Sequence, residues 1–568
     1  MRSRLLLVVL AVALMVAPAP GLRAANEHWI ALRSGPFEAF SSVGEKPARE
    51  KLMFLEQFRE TLRVITGKDD MRLVWPVRVV ISKSAPEDSK PFALGRDARM
   101  IAVGESAAFS RDELKELARI LLHDNTNRLP PDVEQGIIEL VSTLQVDGTR
   151  ITLGAPVPEA ERSPGWALMH LVTVNPDYAG RSSVMISNLE QTNDFDAACH
   201  NAFEKSGAQI QQQASAYLKA GNFPTTSVPG RAVSMTRDFK PIQLGSEDAR
   251  FALADLLLAS GHTAAASAAY MALHGPEASE GLGLIAFRDQ KDDQAQSALK
   301  DAVEGGSRNA RAWLELGFIK SDADMLKKAS ELNPRWGEPY YQLADINPAI
   351  AKPQLEQRAA MLKKAASLDP RNMDYWTELA KTYEAAKDFA EAQKAWSGAE
   401  RAAANDQQRA KMAKIRLDVQ AKRFDYEAAE RKRIHDEEQA DLDRVKAQSE
   451  AEIHAAEVAA RKKLNPNGEA VPKPVGWYQE QSGGVSVEGV FQKLDCMDTR
   501  ARMVIQTGDG KTVQLLMADP SQVSLGGGGE KTLNCGAQKN PRQVLVRYHP
   551  KPDAKLHTAG EVTTIEFH

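Results

Sequence analysis

The residues best suited to chemistry in this sequence lie between 115 and 200. Glu116 and His123 are seven apart and Arg119 and His123 four apart, so a helix through them would carry all three on one face. A carboxylate near an imidazole can move protons, and either group can ligate a metal. One carboxylate, one imidazole and a guanidinium do not complete a ligand set, however. His170 and His200 are further candidates, but neither stands at ligand spacing from the others. Each histidine is therefore expected to be satisfied by structural neighbours. There is no Gly-rich phosphate loop, serine nucleophile elbow or Cys-x-x-Cys pair. The glycine run from Gly526 to Gly529 lacks the strand–loop–helix setting and the Lys of a phosphate loop, and reads as a flexible connection. Cys496 and Cys535 share the C-terminal segment and are expected to pair. Cys199 is left as a buried free thiol.

These residues sit in a chain of 568, far more than one core organises, so three or more folding units are expected. Hydrophobic residues make up 43% and charged residues 26%, an ordinary globular composition, and the net charge of −4 gives no argument for nucleic acid. Arg2 and Arg4 precede an apolar run from Leu5 to Ala17, followed by small residues at Ala19, Ala24 and Ala25. That is the layout of a secretory signal peptide, residues 1–24, with cleavage after Ala24. Loss of Arg2, Arg4 and Arg23 takes the net charge from −4 to −7. Export to the periplasm or outside the cell is therefore expected, in an oxidising compartment where a Cys496–Cys535 bridge persists. No later apolar run is long enough to span a membrane.

Residues 26–240 alternate strand-like and helix-like patterns. Trp29 to Ser41 reads as a strand or hairpin. Glu50 to Thr66 reads as an amphipathic helix, with Leu52, Leu55, Phe58 and Leu62 at helical spacing, and Val77 to Ile81 as a β-branched strand. Arg111 to His123 and Pro131 to Leu144 read as two helices. Residues 246–400 are helical and repetitive. One copy runs through Trp376, Leu379, Ala380, Tyr383, Asp388, Phe389, Ala392, Trp396 and Ala399. Others run through Tyr340, Leu343 and Ala344, through Trp313, Leu316 and Gly317, through Leu282 and Gly283, and through Gly261, Ala266 and Tyr270. The equivalent leucines 282, 316, 343 and 379 are spaced 34, 27 and 36, and Asn333-Pro334 and Asp369-Pro370 close two copies. These residues resemble the tetratricopeptide-repeat (TPR) family, whose period is 34 and whose small residues let paired helices cross closely.

Residues 401–464 contain no Gly or Pro and carry 15 basic and 13 acidic residues. Leu442 and Val445 would fit a coiled-coil seam but Ser449 and Glu452 break the heptad, so an exposed charged helix is expected rather than a coiled coil. Asn465 to Pro474 is a linker. Residues 476–568 alternate as β-strands, with a hairpin at Asp509-Gly510, and predict a small antiparallel barrel or sandwich.

The segment Leu129-Pro130-Pro131-Asp132-Val133-Glu134-Gln135-Gly136-Ile137-Ile138-Glu139-Leu140 resembles the peptidase MA-like gluzincin family. The likeness runs from Trp29 to about Phe203. It implies a preceding helix with His-Glu-x-x-His, whose histidines bind zinc while the Glu activates water, and a third ligand, Glu, just before the Gly. The matching positions here are Lys115-Glu116-Leu117-Ala118-Arg119, with Gln135 in the third-ligand place. Two cations and an amide do not bind Zn²⁺. The resemblance thus implies the fold, while the residues argue against metal, cofactor and catalysis alike.

The chain is expected to be multidomain and mainly α: a degenerate gluzincin-like α+β domain, a TPR solenoid, a charged helix and a β-rich module. The expected function is protein–protein interaction through the TPR groove. Tyr341, Asp345, Thr377, Lys381 and Glu384 are its candidate partner-binding residues, all read as exposed. The competing readings are a peptidase using an unusual site around Glu116, and a structural protein that assembles through the long helix. Neither the partner nor the oligomeric state is fixed by sequence.

Overall fold

Local sequence rules account for the elements of the N-terminal region. The structure is a computed structural model describing residues 28–568 except 84–89, 149, 179, 232–238, 347–350, 465–483, 498 and 529–532. The expected signal peptide and the linker Asn465 to Pro474 lie outside the described residues. The chain divides into two units between Glu438 and Gln439.

In the first unit, β1 (Ile30–Ser34) and β2 (Phe37–Ser41) form the expected hairpin, pairing Ile30 with Ser41. Next come α1 (Glu45–Thr66), β3 (Val77–Ser82), β4 (Ala93–Leu94) and β5 (Arg99–Gly104). A short late strand, β9 (Ile242–Gln243), completes a six-stranded sheet of order β4-β5-β3-β2-β1-β9. Strands β2, β3 and β5 run parallel, as expected for strands covered on both faces. Helix α1 covers one face, burying Leu52, Leu55, Phe58 and Leu62 completely. It begins earlier than the expected Glu50, from a glycine N-cap at Gly44.

Helices α2 (Arg111–Asn125) and α3 (Pro131–Val141) follow. A capping box opens α2: the Ser110 hydroxyl accepts from the Glu113 N–H, and the Glu113 carboxylate accepts from the Ser110 N–H at 2.6 Å. Pro131 opens α3, where its missing N–H costs nothing. Strands β6 (Gln145–Asp147) and β7 (Arg150–Leu153) pair with β8 (Thr226–Pro229) in a second, three-stranded sheet. Between β7 and β8 run α4 (Pro164–Val174), α5 (Ser182–Thr192), α6 (Phe195–Phe203) and α7 (Gly207–Ala220). The crossing of α3 and α4 is fixed by two glycines. A Cβ on Gly136 would meet the Gly165 carbonyl oxygen at 2.1 Å, and one on Gly165 would meet the Asp132 oxygen at 2.2 Å, so any side chain at either position forces the helices apart.

The repeats appear as five helical hairpins among the described residues. They are α8 (Ser246–Ala259) with α9 (Thr263–Met271), α10 (Pro276–Arg288) with α11 (Asp292–Glu304), α12 (Ala310–Lys320) with α13 (Ala323–Leu332), α14 (Glu338–Asp345) with α15 (Lys352–Leu368), and α16 (Met373–Ala385) with α17 (Phe389–Ala402). Asn309, Asp322, Asn372 and Asp388 cap their helices by accepting from first-turn N–H groups. Ala344, Ala380, Ala392 and Ala399 are fully buried, the small residues that let Leu379 and Trp396 lock the last hairpins together.

Helix α8 does two jobs. Ala249, Ala252, Leu253, Leu256 and Ala259 pack on the open face of the six-stranded sheet, against Trp29, Phe40, Val80 and Met100. Phe251, Ala254 and Leu258 on its other side pack against Tyr270 and Ile285 of the following hairpins. The mixed domain and the solenoid, read from sequence as separate pieces at 26–240 and 246–400, therefore share a core.

Helix α18 (Asp406–Leu464) is continuous over 59 residues. Met412 and Val419 pack under the last hairpin, and the helix is charged and largely exposed beyond them, with Arg423–Glu427 and Arg433–Glu437 paired one turn apart. Among the described residues no second helix pairs with that stretch.

In the second unit β10 (Val485–Met497), β11 (Arg500–Thr507) and β12 (Thr512–Met517) form an antiparallel meander. They are followed by β13 (Ser524–Gly527), β14 (Gly536–His549) and β15 (Glu561–Phe567). β14 pairs with β10 and with β15, and β15 pairs with β12, closing a five-stranded barrel around Phe491, Met503, Leu515, Val546 and Phe567. The expectation of a purely antiparallel module is corrected: β12–β15 and β13–β15 are parallel, a consequence of the long connections that carry the chain back across the barrel. The glycine run is corrected in its first half, while Gly529 lies outside the described residues. Gly526 and Gly527 lie in β13, and Gly527 has φ +88°, with its Cα so close to Phe567 that a Cβ would meet the Phe567 oxygen at 2.0 Å. Cys496 and Cys535 form the expected disulfide.

Candidate functional site

The α2–α3 hairpin places the expected chemistry residues at one surface, where each is already engaged. Lys115 Nζ lies 3.1 Å from Asp112 and 3.4 Å from Glu161, and Arg119 pairs with Glu116 at 3.0 Å. Gln135 donates to Glu139 Oε1 at 2.8 Å. Glu116 is thus held by a guanidinium one turn away and has no imidazole beside it. His123 points to its own neighbour, with Nδ1 3.3 Å from Asp124 Oδ1. These donors do not fit zinc, which needs neutral nitrogens, thiolates or carboxylates converging on one point. Among the described residues no group of three His, Cys, Asp or Glu side chains converges in that way.

The other two candidate histidines are also accounted for. His170 is fully buried, and burial holds its imidazole below the usual value and hence neutral. Nε2 donates to the Gly154 carbonyl at 3.0 Å, which leaves Nδ1 to accept from the Tyr217 hydroxyl at 2.9 Å. His200 is exposed on α6 and joins no cluster. Cys199 is buried and free, and its thiol is pushed up to about 12 by burial and by Asp196.

Much of the polar chemistry lies instead between the mixed domain and the solenoid. The β4–β5 turn projects Arg96 into the first two repeats. Its Nε donates to Asp255 Oδ1 at 3.1 Å, and Nη1 donates to Glu280. Arg78, on β3, reaches Glu38 at 2.9 Å, Asp97 at 3.0 Å and Asp255 at 3.3 Å, and the Tyr270 hydroxyl donates to Asp255 at 2.6 Å. Burial works against the Asp97 carboxylate, but Arg78 and Arg96 outweigh it and hold the group at about 2. Asn309 and Arg311, opening the third repeat, donate to the carbonyls of Arg96 and Gly95. Further along, Trp336 packs edge-on against Trp75 at 5.0 Å, Asn333 donates to the Val74 carbonyl, and Arg371 is gripped by Thr126 and Glu134. The chain's own domain therefore occupies surface on the first helices of the early repeats and the leading edge of the later ones.

The expected partner-binding residues divide accordingly. Asp345 and Lys381 are exposed, and Lys381 pairs with Glu378 at 2.7 Å. Thr377 is partly buried, its hydroxyl donating to the Met373 carbonyl at 2.8 Å. Tyr341 is also partly buried, its ring 5.0 Å from that of Tyr375, whose hydroxyl donates to Glu338 at 2.6 Å. The expectation that all five are open surface is corrected for Tyr341, Thr377 and Glu384, and Glu384 is the one whose carboxylate is fully engaged. Its two oxygens accept from Trp396 Nε1 at 2.8 Å and Lys422 Nζ at 2.9 Å, because α17 and α18 fold over it. Sequence reasoning named Asp345 but missed the other carboxylates around Tyr341: after burial, Glu378, Asp345, Asp374 and Glu338 all raise its hydroxyl pKa. It missed Glu315 as well, whose carboxyl is pushed up to about 7 by burial, against the pull of Arg311 and with the help of Glu338. Their one-turn spacing along the first helices of successive repeats was the available signal.

No family model and no curated protein matches the chain. Solved structures do resemble part of it. The crystal structure of YrrB, a TPR protein with an unusual peptide-binding site, is 19% identical, covering 29% of this chain and 90% of its own with a TM-score of 0.25. MamA is 21% identical over 28% of this chain and 97% of its own, with a TM-score of 0.24. Pseudomonas aeruginosa pilF is 16% identical over 32% of this chain and 88% of its own, with a TM-score of 0.26. The five helical hairpins, with small residues where their helices cross, are TPR-like.

Proposed function

We propose that this chain is a non-catalytic exported scaffold that binds a protein or peptide through the later repeats of its solenoid. The observation that carries this reading is the stretch of first-helix surface on α14 and α16. There Tyr341 stands partly open between Asp345, Glu378 and Lys381, beyond the edge that the mixed domain covers. Concave helix surfaces with an aromatic anchor among charges suit an extended peptide or a helix of a partner. The gluzincin resemblance of the mixed domain then describes its ancestry of shape. Lys115, Arg119 and Gln135 are tied into local pairs and supply no Lewis-acid centre.

The test is affinity capture with the signal-free chain, comparing Tyr341→Ala/Asp345→Ala/Lys381→Ala with Glu116→Gln. The triple change should reduce recovery of the partner while circular dichroism stays unchanged, and Glu116→Gln should recover it in full. Elemental analysis of the same protein should find no stoichiometric zinc. Loss of capture with Glu116→Gln alone, or zinc at one equivalent, would move the functional centre to the mixed domain.

A further inference from the structure

The cleft between α2, α3 and the start of α18 holds an unusual concentration of guanidinium groups. Arg119, Arg128 and Arg409 line a cavity of about 300 Å³, and Arg371 lies just behind it on Glu134. Arg128 is the informative one. Its Nε donates to the Ala402 carbonyl at 3.1 Å, but among the described residues no carboxylate lies within ion-pair distance of it. It is partly desolvated, and Arg371 and Arg409 repel it, so that burial and like charge together lower its pKa. Arg409 uses Nη1 on Asp406 at 2.7 Å, while its Nε is buried without a partner. Glu134 and Asp369 offset this only in part, from beyond ion-pair distance, and Glu134 is engaged by Arg371 at 2.8 Å and by the Leu129 N–H at 3.4 Å. A half-buried guanidinium beside two others, with donors left over, is costly unless an anion completes it.

We propose that this cavity is a binding site for a carboxylate attached to an apolar group, most simply the C-terminal residue of a polypeptide. The carboxylate would take the free donors of Arg128 and Arg409, for which the planar guanidinium fork is the matching geometry. Leu129, Pro131 and Ile138 supply apolar lining beside Glu134 and Gln135, and the volume suits one or two residues rather than a folded surface. Arg119, with its side chain 46% exposed, guards the mouth and steers the anion inward. The site is distinct from the α14–α16 surface and stands or falls independently of it.

The test uses the signal-free chain and calorimetric titration with acetyl-Ala-Leu as the free acid, as its C-terminal amide, and with inorganic phosphate. The acid should bind, the amide should bind at least about tenfold more weakly, and phosphate should compete with the acid. Arg128→Met should weaken the acid by about tenfold or more, and Arg119→Gln, at a position exposed enough to leave folding alone, by a smaller factor that shrinks at high salt. Acid and amide binding alike, neither binding at millimolar concentration, phosphate binding that the acid cannot displace, or unchanged affinity in Arg119→Gln across salt would each overturn the proposal.

Discussion

Replacing Arg96 by Met should loosen the mixed domain from the solenoid while leaving every hydrophobic contact between them in place. Arg96 is 9% exposed at its side chain, and the two carboxylates it serves, Asp255 and Glu280, are 1% and 3% exposed. Methionine fills a similar volume but supplies no charge. Asp255 then keeps Arg78 at 3.3 Å and the Tyr270 hydroxyl, while Glu280 keeps only the Asn309 amide and Ser307. Breaking a buried pair from one side costs about 3–5 kcal/mol, mainly because the surviving charge stays buried. For a unit that runs to Glu438 that corresponds to roughly 3–6 °C in melting temperature. The loss should depend on pH in a definite direction. Burial already raises the Asp255 and Glu280 carboxyls, and Arg96 is the principal opposing influence on both. Without it their folded values rise further above the unfolded ones, so the native state binds more protons and falling pH favours it. The gap between wild type and variant should therefore be widest above pH 7 and narrow toward pH 4.5. Differential scanning calorimetry at several pH values measures this directly. A variant that melts within about a degree of wild type, or whose deficit widens on acidification, would refute the assignment of Arg96 as the tie.

Other consequences can be checked with standard measurements. Glu315 has a folded value near 7, above its unfolded one, so its ionisation destabilises the fold fully above that value and not at all below about 4.5. Glu315→Gln should raise the melting temperature at pH 8 and flatten its pH dependence between 5 and 7. Reducing Cys496–Cys535, which closes a loop of sequence separation 39, should destabilise the C-terminal barrel by about 4 kcal/mol on the chain-entropy account. Unreduced peptide mapping should recover that pair, with Cys199 in neither partner. Cys199, buried and with its thiol near 12, should ignore an aqueous thiol reagent until the chain is unfolded, which a stoichiometric labelling assay against denaturant would show.

Sequence reading succeeded where the deciding forces are local. The Trp376–Ala399 pattern predicts the last hairpin because 3.6-residue periodicity, cap residues and small crossing positions all act within one turn or one hairpin. The β1–β2 hairpin and the β11–β12 turn at Asp509-Gly510 followed for the same reason. What escaped was long-range and polar. Arg96 and Asp255 are 159 residues apart, and no periodicity marks two charges as partners. The parallel β12–β15 pairing escaped likewise, since alternation shows that a strand is half-buried but not which neighbour it takes. Helix α8 could have been caught: with apolar residues nearly all round, it advertised a helix covered on two sides rather than one. Glu384 was misplaced because the helix that covers it, α18, was read as an exposed charged helix, whereas its Lys422 pairs with Glu384.

The double service of α8 limits how this architecture can be inherited. A repeat array attached by a linker can be cut away, lengthened or exchanged between genes without harming its neighbour. Here a break between Lys240 and Ser246 would strip the sheet of the helix that covers Trp29, Phe40 and Met100, and would expose to water an apolar face that two-sided strands cannot tolerate. Duplicating a hairpin ahead of α12 would carry Arg311 and Asn309 away from the carbonyls of Gly95 and Arg96. Because Arg371, just ahead of α16, is held by Thr126 and Glu134, and Arg128 donates to the Ala402 carbonyl at the end of α17, the mixed domain reaches the last hairpin as well, so the number of repeats is tied to the length of the domain they dock on.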